Sequence, residues 1–234
     1  MFSQFKNELT FDATETMYPS RMRCYGDGQY QFDDPTRQYY GFVFSGEAEV
    51  IREFSNVCVG SAKKPSKMRS TLGAFMYFAL NGPLQLNVKG EVIVIERFGY
   101  RGLNEIGGPV EAEGRLAYID NCRSTILVHP ARKGDPVLNY LQFPPDVLQT
   151  MHFHPTVRMG IIFEGEGVCH LKDKDVPLKP GMVFYLPENT LHCFESKGEG
   201  LRIIAYHPDS DTGPTDENHP MLNRTYLFDR FSRG

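Results

Sequence analysis

An all-β fold of antiparallel sandwich or barrel type, laid out as two consecutive units, is what the sequence predicts. Three observations carry this. Helical periodicity is scarce, while short runs rich in β-branched and aromatic residues recur between Gly, Pro, Asn and Asp punctuation. A weak internal repeat relates the two halves. The length of 234 residues accommodates two domains near the commonest size.

Taken in order, the predicted strands are YYGFVFSG, FMYFAL, LQLNV, EVIVIERF, STILVHP, RMGIIFEG, MVFYLP and LRIIAYHP. The repeat shows when FMYFALNGPLQLNVKGEVIVIERFGYRG is set against MGIIFEGEGVCHLKDKDVPLKPGMVFYLP, with Gly82 on Gly165 and Gly99 on Gly181. Each segment then reads strand, Gly-containing turn, strand, polar hairpin, Gly and aromatic. A polar step at Asp120 and Asn121 sets the boundary, giving units 1–120 and 121–208. The segment from Asp209 onward, DSDTGPTDENHPMLNRT, has the Asp, Pro, Gly and Asn content of irregular chain, and 209–234 is expected to be a tail or arm on a neighbouring barrel or subunit.

Composition narrows the function. Hydrophobic residues make up 41% and charged residues 23%, as in packed globular domains. The net charge of -4, without a Lys/Arg run, argues against nucleic acid as a partner. The start MFSQFKNELTFDATETMYPS lacks the basic and apolar regions of a signal peptide, and no run approaches the ~20 apolar residues of a membrane span. A soluble, cytoplasmic protein is expected. Cys24, Cys58, Cys122, Cys169 and Cys193 form no CxxC pair and are odd in number, which suits reduced, buried thiols.

The chemistry concentrates in QTMHFHPTVRMGIIFEGEG and LKPGMVFYLPENTLHCF. In His152-Phe153-His154 the two-residue period of a strand sends both imidazoles to one face. His192, from the second block, stands where a neighbouring strand would supply a third nitrogen. Three neutral imidazoles make a competent site for Fe, Zn, Ni, Mn or Cu with coordination positions left open.

The order HxH, apolar strand ending in GxG, PG, hydrophobic strand, Pro and a His five residues on resembles the two conserved motifs of the cupin superfamily. The repeat extends the resemblance over most of the chain. It implies two fused cupin barrels of double-stranded β-helix, or jelly-roll, type, with His152, His154 and His192 as ligands of a divalent metal, Fe(II) by preference. One position departs from the family: four residues after His154, where a Glu ligand is usual, this chain has Arg158. The alternatives are a three-His centre, as in the thiol and diketone dioxygenases among cupins, or a decayed site without metal. Under the glycine alignment the corresponding positions of the first unit are Arg69, Thr71, Phe75 and Val110, and no His precedes His129. The first barrel is therefore expected to be structural, covering the second or pairing it in a homodimer.

If Arg158 points inward, its fork would hold a carboxylate beside the ion, so the expected partner is a small anionic substrate. Swung outward, it would pair with Glu164 or Glu166. Gln149 is a candidate polar neighbour of the ligands and of the substrate. His129 and His207, each in a His-Pro step, read as strand ends. His170 could face the cavity, and His219 falls in the tail. The leading expectation is an oxygenase of a small organic acid. A Zn- or Mn-type lyase or isomerase, and a non-catalytic metabolite-binding protein, stay open beside it.

Overall fold

The computed structural model describes residues 1–54, 66–217, 219, 221, 225 and 226; Cys58 lies outside them. The chain is all-β. In the first half come β1 (Phe2–Gln4), β2 (Thr10–Ala13), β3 (Ser20–Tyr25), β4 (Gly28–Phe32), β5 (Gln38–Phe54), β6 (Ser66–Gly73), β7 (Tyr77–Asn81), β8 (Leu84–Arg97) and β9 (Glu105–Gly107). The second half adds β10 (Leu116–Ala117), β11 (Arg123–Val128), β12 (Val137–Phe143), β13 (Arg158–Leu171), β14 (Lys174–Leu178), β15 (Met182–Leu186) and β16 (His192–His207). Between β10 and β11 runs one 3-10 turn, Ile119–Asn121. Among the described residues no helix is long and apolar enough to cross a membrane.

The strands form two eight-stranded antiparallel sheets of jelly-roll organisation. β5 and β13 are counterpart long strands of the two, each pairing three others of its own sheet along its length. Both carry an irregularity beside a glycine, where Gly46 and Gly165 adopt φ of 72° and 77°. A side chain there would collide with backbone, since a Cβ would run into the carbonyl oxygen of Lys89 or of Gly200.

Three apolar clusters follow from this layout. Val43, Leu72, Phe78 and Leu86 belong to the interior of the first barrel, and Ile162, Leu178, Phe184 and Phe194 to that of the second. The third cluster joins them, with Tyr40, Phe42 and Ile95 against Tyr140, Ile161, Phe163 and Tyr206. The ring centroids of Tyr40 and Tyr206 are 5.1 Å apart, and those of Phe42 and Phe163 5.4 Å. Alternate residues of β13 thus serve different cores, which is why RMGIIFEG reads as an unbroken apolar run.

The register corrects the glycine alignment. Gly41 pairs with Phe78 and Val94 as Gly160 pairs with Phe184 and Ala205. The repeat therefore sets GFVFSGE on GIIFEGE, with Gly46 on Gly165, and Gly82 has no part in it. The segment that sequence set against RMGIIFEG is the structural counterpart of β15 and β16. Hairpins of similar length allowed the slip.

By this register Phe78 is the counterpart of Phe184 and β9 that of β1, so the second copy of the repeat begins before Glu105 and each copy lends its first strand to the sheet of the other. β1 pairs with β15, Phe2 opposite Phe184, while β9 pairs with β7, Ile106 opposite Phe78. The chain's first strand thus lies in the sheet of the second half, and that sheet is already joined at β10.

Candidate metal centre

His152, His154 and His192 converge, their ligand nitrogens all within 4.8 Å of one another. A two-residue bridge between His152 and His192 brings the first two histidines against the start of β16. Alternation in the extended segment turns His154 to the same side. Their ring centroids lie 4.6 to 5.4 Å apart.

Two of the three rings have fixed orientation. Nδ1 of His152 lies 2.8 Å from the carbonyl of Thr150, and Nδ1 of His192 lies 2.8 Å from that of Thr190. A carbonyl only accepts, so each Nδ1 carries the proton and each Nε2 presents its lone pair. Burial lowers the His154 pKa to about 3, with Arg158 and the other two histidines adding to the effect. Burial likewise takes His192 to about 4. The imidazoles of His154 and His192 are neutral at ordinary pH, the form that binds metals.

Gln149 reaches the same chamber. It is buried, its Nε2 4.0 Å from the sulfur of Cys122, and its Oε1 has no hydrogen-bond partner. Three basic imidazole nitrogens facing one point, with an unmatched acceptor beside them, fit a divalent ion carrying water or substrate. Phe184, Leu186 and Phe194 wall the chamber, which has 20 Å³ of free volume.

Arg158 turns inward. It is 9% exposed, and its Nη1 donates to the carbonyls of Thr156 (3.0 Å) and Val157 (2.9 Å) and to the Thr156 hydroxyl (2.7 Å). Glu164 instead pairs with Arg202. The Nε of Arg158 is buried without a partner. Burial lowers its pKa to about 10, opposed by Asp209 and Tyr118, so the guanidinium remains charged at neutral pH.

His207 ends β16, as the strand-end reading expects, and its side chain also lines the chamber. Its ring centroid lies 6.0 Å from that of His154, and its Nε2 lies 3.4 Å from Nδ2 of Asn139. The register of β12 on β16 turns Asn139, Leu141, Ala205 and His207 toward the barrel interior. The signal available in sequence was parity: His207 is two residues from Ala205, on the face that carries the core.

The other histidines are placed elsewhere. His170 lies outside the chamber, with Nδ1 2.7 Å from Asp175 and Nε2 3.2 Å from Glu195. His129 is exposed. His219 accepts from the backbone N–H of Met221. Cys193 is buried and, next to His192 on the strand, faces the opposite way.

The first barrel fills the equivalent position with hydrocarbon. Phe32 pairs with Leu84 as His152 pairs with His192, and Tyr39 occupies the place of Arg158. These replace the counterparts Arg69, Thr71, Phe75 and Val110 drawn from the glycine alignment. Phe32, Tyr39 and Leu84 belong to the apolar interior, with the Phe32 and Tyr39 rings 4.9 Å apart. Asp34, two residues after Phe32, accepts hydrogen bonds from Thr36 and Arg37.

Residues 139–207 match the family described as the cupin domain. Among solved structures, the chain is similar to a cupin 2 conserved barrel domain protein from Leptotrichia buccalis (16% identity, 88% of this chain and 91% of that chain, TM-score 0.58). It is also similar to Bacillus subtilis oxalate decarboxylase, studied for its Mn(II) centres (13% identity, 92% and 78%, TM-score 0.56). A third likeness is to salicylate 1,2-dioxygenase from Pseudaminobacter salicylatoxidans (10% identity, 81% and 70%, TM-score 0.56). No curated protein sequence matches the chain. At these identities the likeness to solved structures is one of fold: the described residues of both halves have the cupin jelly roll, and the second half carries the segment that matches the cupin domain.

Proposed function

We propose that the chain is a two-barrel cupin enzyme that holds one divalent metal on His152, His154 and His192 and acts as an Fe(II)-dependent oxygenase on a small organic acid. The observation that carries this reading is the convergence of three imidazoles, two with Nδ1 tied to carbonyls so that Nε2 is free. Bound there, the ion would supply a Lewis-acidic, redox-capable centre with coordination positions left open. The residues around it do the rest. Arg158 supplies the cationic N–H groups that would hold a carboxylate, and with Glu replaced at this position the substrate anion brings the negative charge. Gln149 Oε1 is placed to accept a hydrogen bond from a bound water or substrate hydroxyl. Phe184 and Phe194 exclude bulk water from the chamber.

A redox-neutral lyase or isomerase using Mn or Zn is the second reading, favoured by the fold likeness to an oxalate decarboxylase with Mn(II) centres. Elemental analysis of anaerobically purified protein should find about one metal per chain, with occupancy lost in His152→Ala and His192→Ala. Full occupancy in both variants would rule the assignment out. Oxygen uptake by the Fe(II)-loaded chain, measured against a panel of keto, thiol and hydroxy acids, separates the two reactions. Turnover that proceeds equally under strict anaerobiosis, or with Zn in place of Fe, selects the lyase or isomerase. Tight binding without turnover selects a binding protein.

A further inference from the structure

We infer that the acid taken at this centre carries an amine as well as a carboxylate, so that the substrate is a zwitterionic amino acid and not a dicarboxylate. The inference rests on the reading above and deepens it.

Space comes first. With 20 Å³ free beside the imidazoles, the chamber admits little more than a water-sized group, so only the reacting end of a substrate enters. The remainder must lie in the 510 Å³ cleft immediately outside, which shares His154, Arg158 and His207 with the chamber. One wall of the cleft is formed by β11 and β12, and another by the segment from Asp209 to Thr212.

Charge then selects the occupant. Among the described residues lining this cleft Arg158 is the only Lys or Arg, and it is built for an anion: more than nine-tenths buried, with Nε lacking any partner. A buried N–H donor left unmatched is costly, and a carboxylate drawn in against the guanidinium would give it an acceptor. The same cleft carries two carboxylates, Asp209 and Asp211. Asp209 accepts from the Thr156 hydroxyl through Oδ1 (2.6 Å), the hydroxyl that also accepts from Arg158, and Asp211 is exposed. The second carboxylate of a dicarboxylate would meet these aspartates at like charge, and a plain monocarboxylate would add negative charge to a cleft in which Asp209 already offsets the charge of Arg158. An ammonium a few bonds from the bound carboxylate matches both signs.

The test is isothermal titration of the chain loaded with Zn(II), a redox-inert ion, its content fixed by elemental analysis. The probes are alanine, β-alanine and 4-aminobutyrate against propionate, butyrate, malonate and succinate. At least one amino acid should bind about tenfold more tightly than the unsubstituted acid and the dicarboxylate of the same chain length. The Asp209→Asn/Asp211→Asn variant should lose that preference yet keep its affinity for propionate and butyrate, since the amide oxygen that replaces the Asp209 carboxylate can still accept from Thr156. Arg158→Gln should weaken every probe. Dicarboxylates binding more tightly than amino acids, or a preference unchanged in the double aspartate variant, would overturn the inference and leave the metal centre standing. A wild-type chain that retains no Zn(II) would remove the metal centre instead, and the same titration of metal-free protein would still decide the charge preference of the cleft. No binding of any acid would overturn both.

Discussion

At the scale of single residues, Arg158 is the most informative position in the site. Replacing it with Glu would put a carboxylate beside three imidazoles and remove the cation proposed to receive the substrate. Arg158→Glu should therefore bind Mn(II) or Fe(II) more tightly in competition with a chelator while losing affinity for carboxylates. Unchanged values for both would mean that the side chain does not act in the chamber. His170 makes a separate prediction about pH. Its hydrogen bonds to Asp175, then to Glu195, raise its pKa above the ordinary value of about 6.5. A group whose folded pKa is raised stabilises the fold below its unfolded pKa, and that contribution is lost as pH rises through the folded value. The stability gap between wild type and His170→Gln in urea unfolding should thus be present below about pH 6.5 and shrink as pH rises above it. A gap independent of pH would contradict the ion pair. The histidine triad was legible in the sequence because strand alternation and motif spacing are local. The direction of Arg158 was not, because four residues after His154 the motif resemblance leads one to expect a carboxylate and the chain carries the opposite charge, so that only the hydrogen bonds to Thr156 and Val157 decide where it points. His207 was missed because its neighbours in space, His154 and Asn139, come from other segments.

At the scale of elements, the bulged long strands position the site. β13 begins at Arg158 in the chamber and passes Gly165 before reaching β14, so its bend fixes where β16 delivers His192. Gly165→Ala would force a Cβ against the carbonyl of Gly200 at a positive φ. The expected cost is on the order of 2–4 kcal/mol in chemical denaturation, with metal affinity reduced because the strands cannot keep their register. A change within experimental error would show that the bulge relaxes freely. This element also explains what the sequence concealed. The strands themselves were readable as apolar runs, but their correspondence between halves rests on a four-residue interval between glycines, Gly41 to Gly46 and Gly160 to Gly165, shared by GFVFSGE and GIIFEGE. Matching the more frequent turn glycines hid it. Edge strands such as β4, β6 and β14 carried too little apolar pattern to stand out, since one face of each meets solvent.

At the scale of the whole molecule, the two barrels are held by a shared aromatic core and by the reciprocal loan of β1 and β9. Removing residues 1–8 would strip β1 from the edge of β15 and the Phe2 ring from Phe184, 5.8 Å away. The truncated chain should melt several degrees lower and aggregate more readily, because an unpaired strand edge is a template for association. An unchanged Tm would mean that the loan contributes nothing. The loan has a further consequence for how such a chain could arise. A lone module of this design cannot complete its own sheet, since the strand it would need belongs to a neighbour, so its stable form is a pair of copies exchanging their first strands. Joining the copies end to end turns that exchange into an intramolecular event, governed by effective concentration instead of protein concentration. In the joined chain one copy can then fill its chamber with Phe32, Tyr39 and Leu84 and serve as scaffold, while the other carries the three imidazoles.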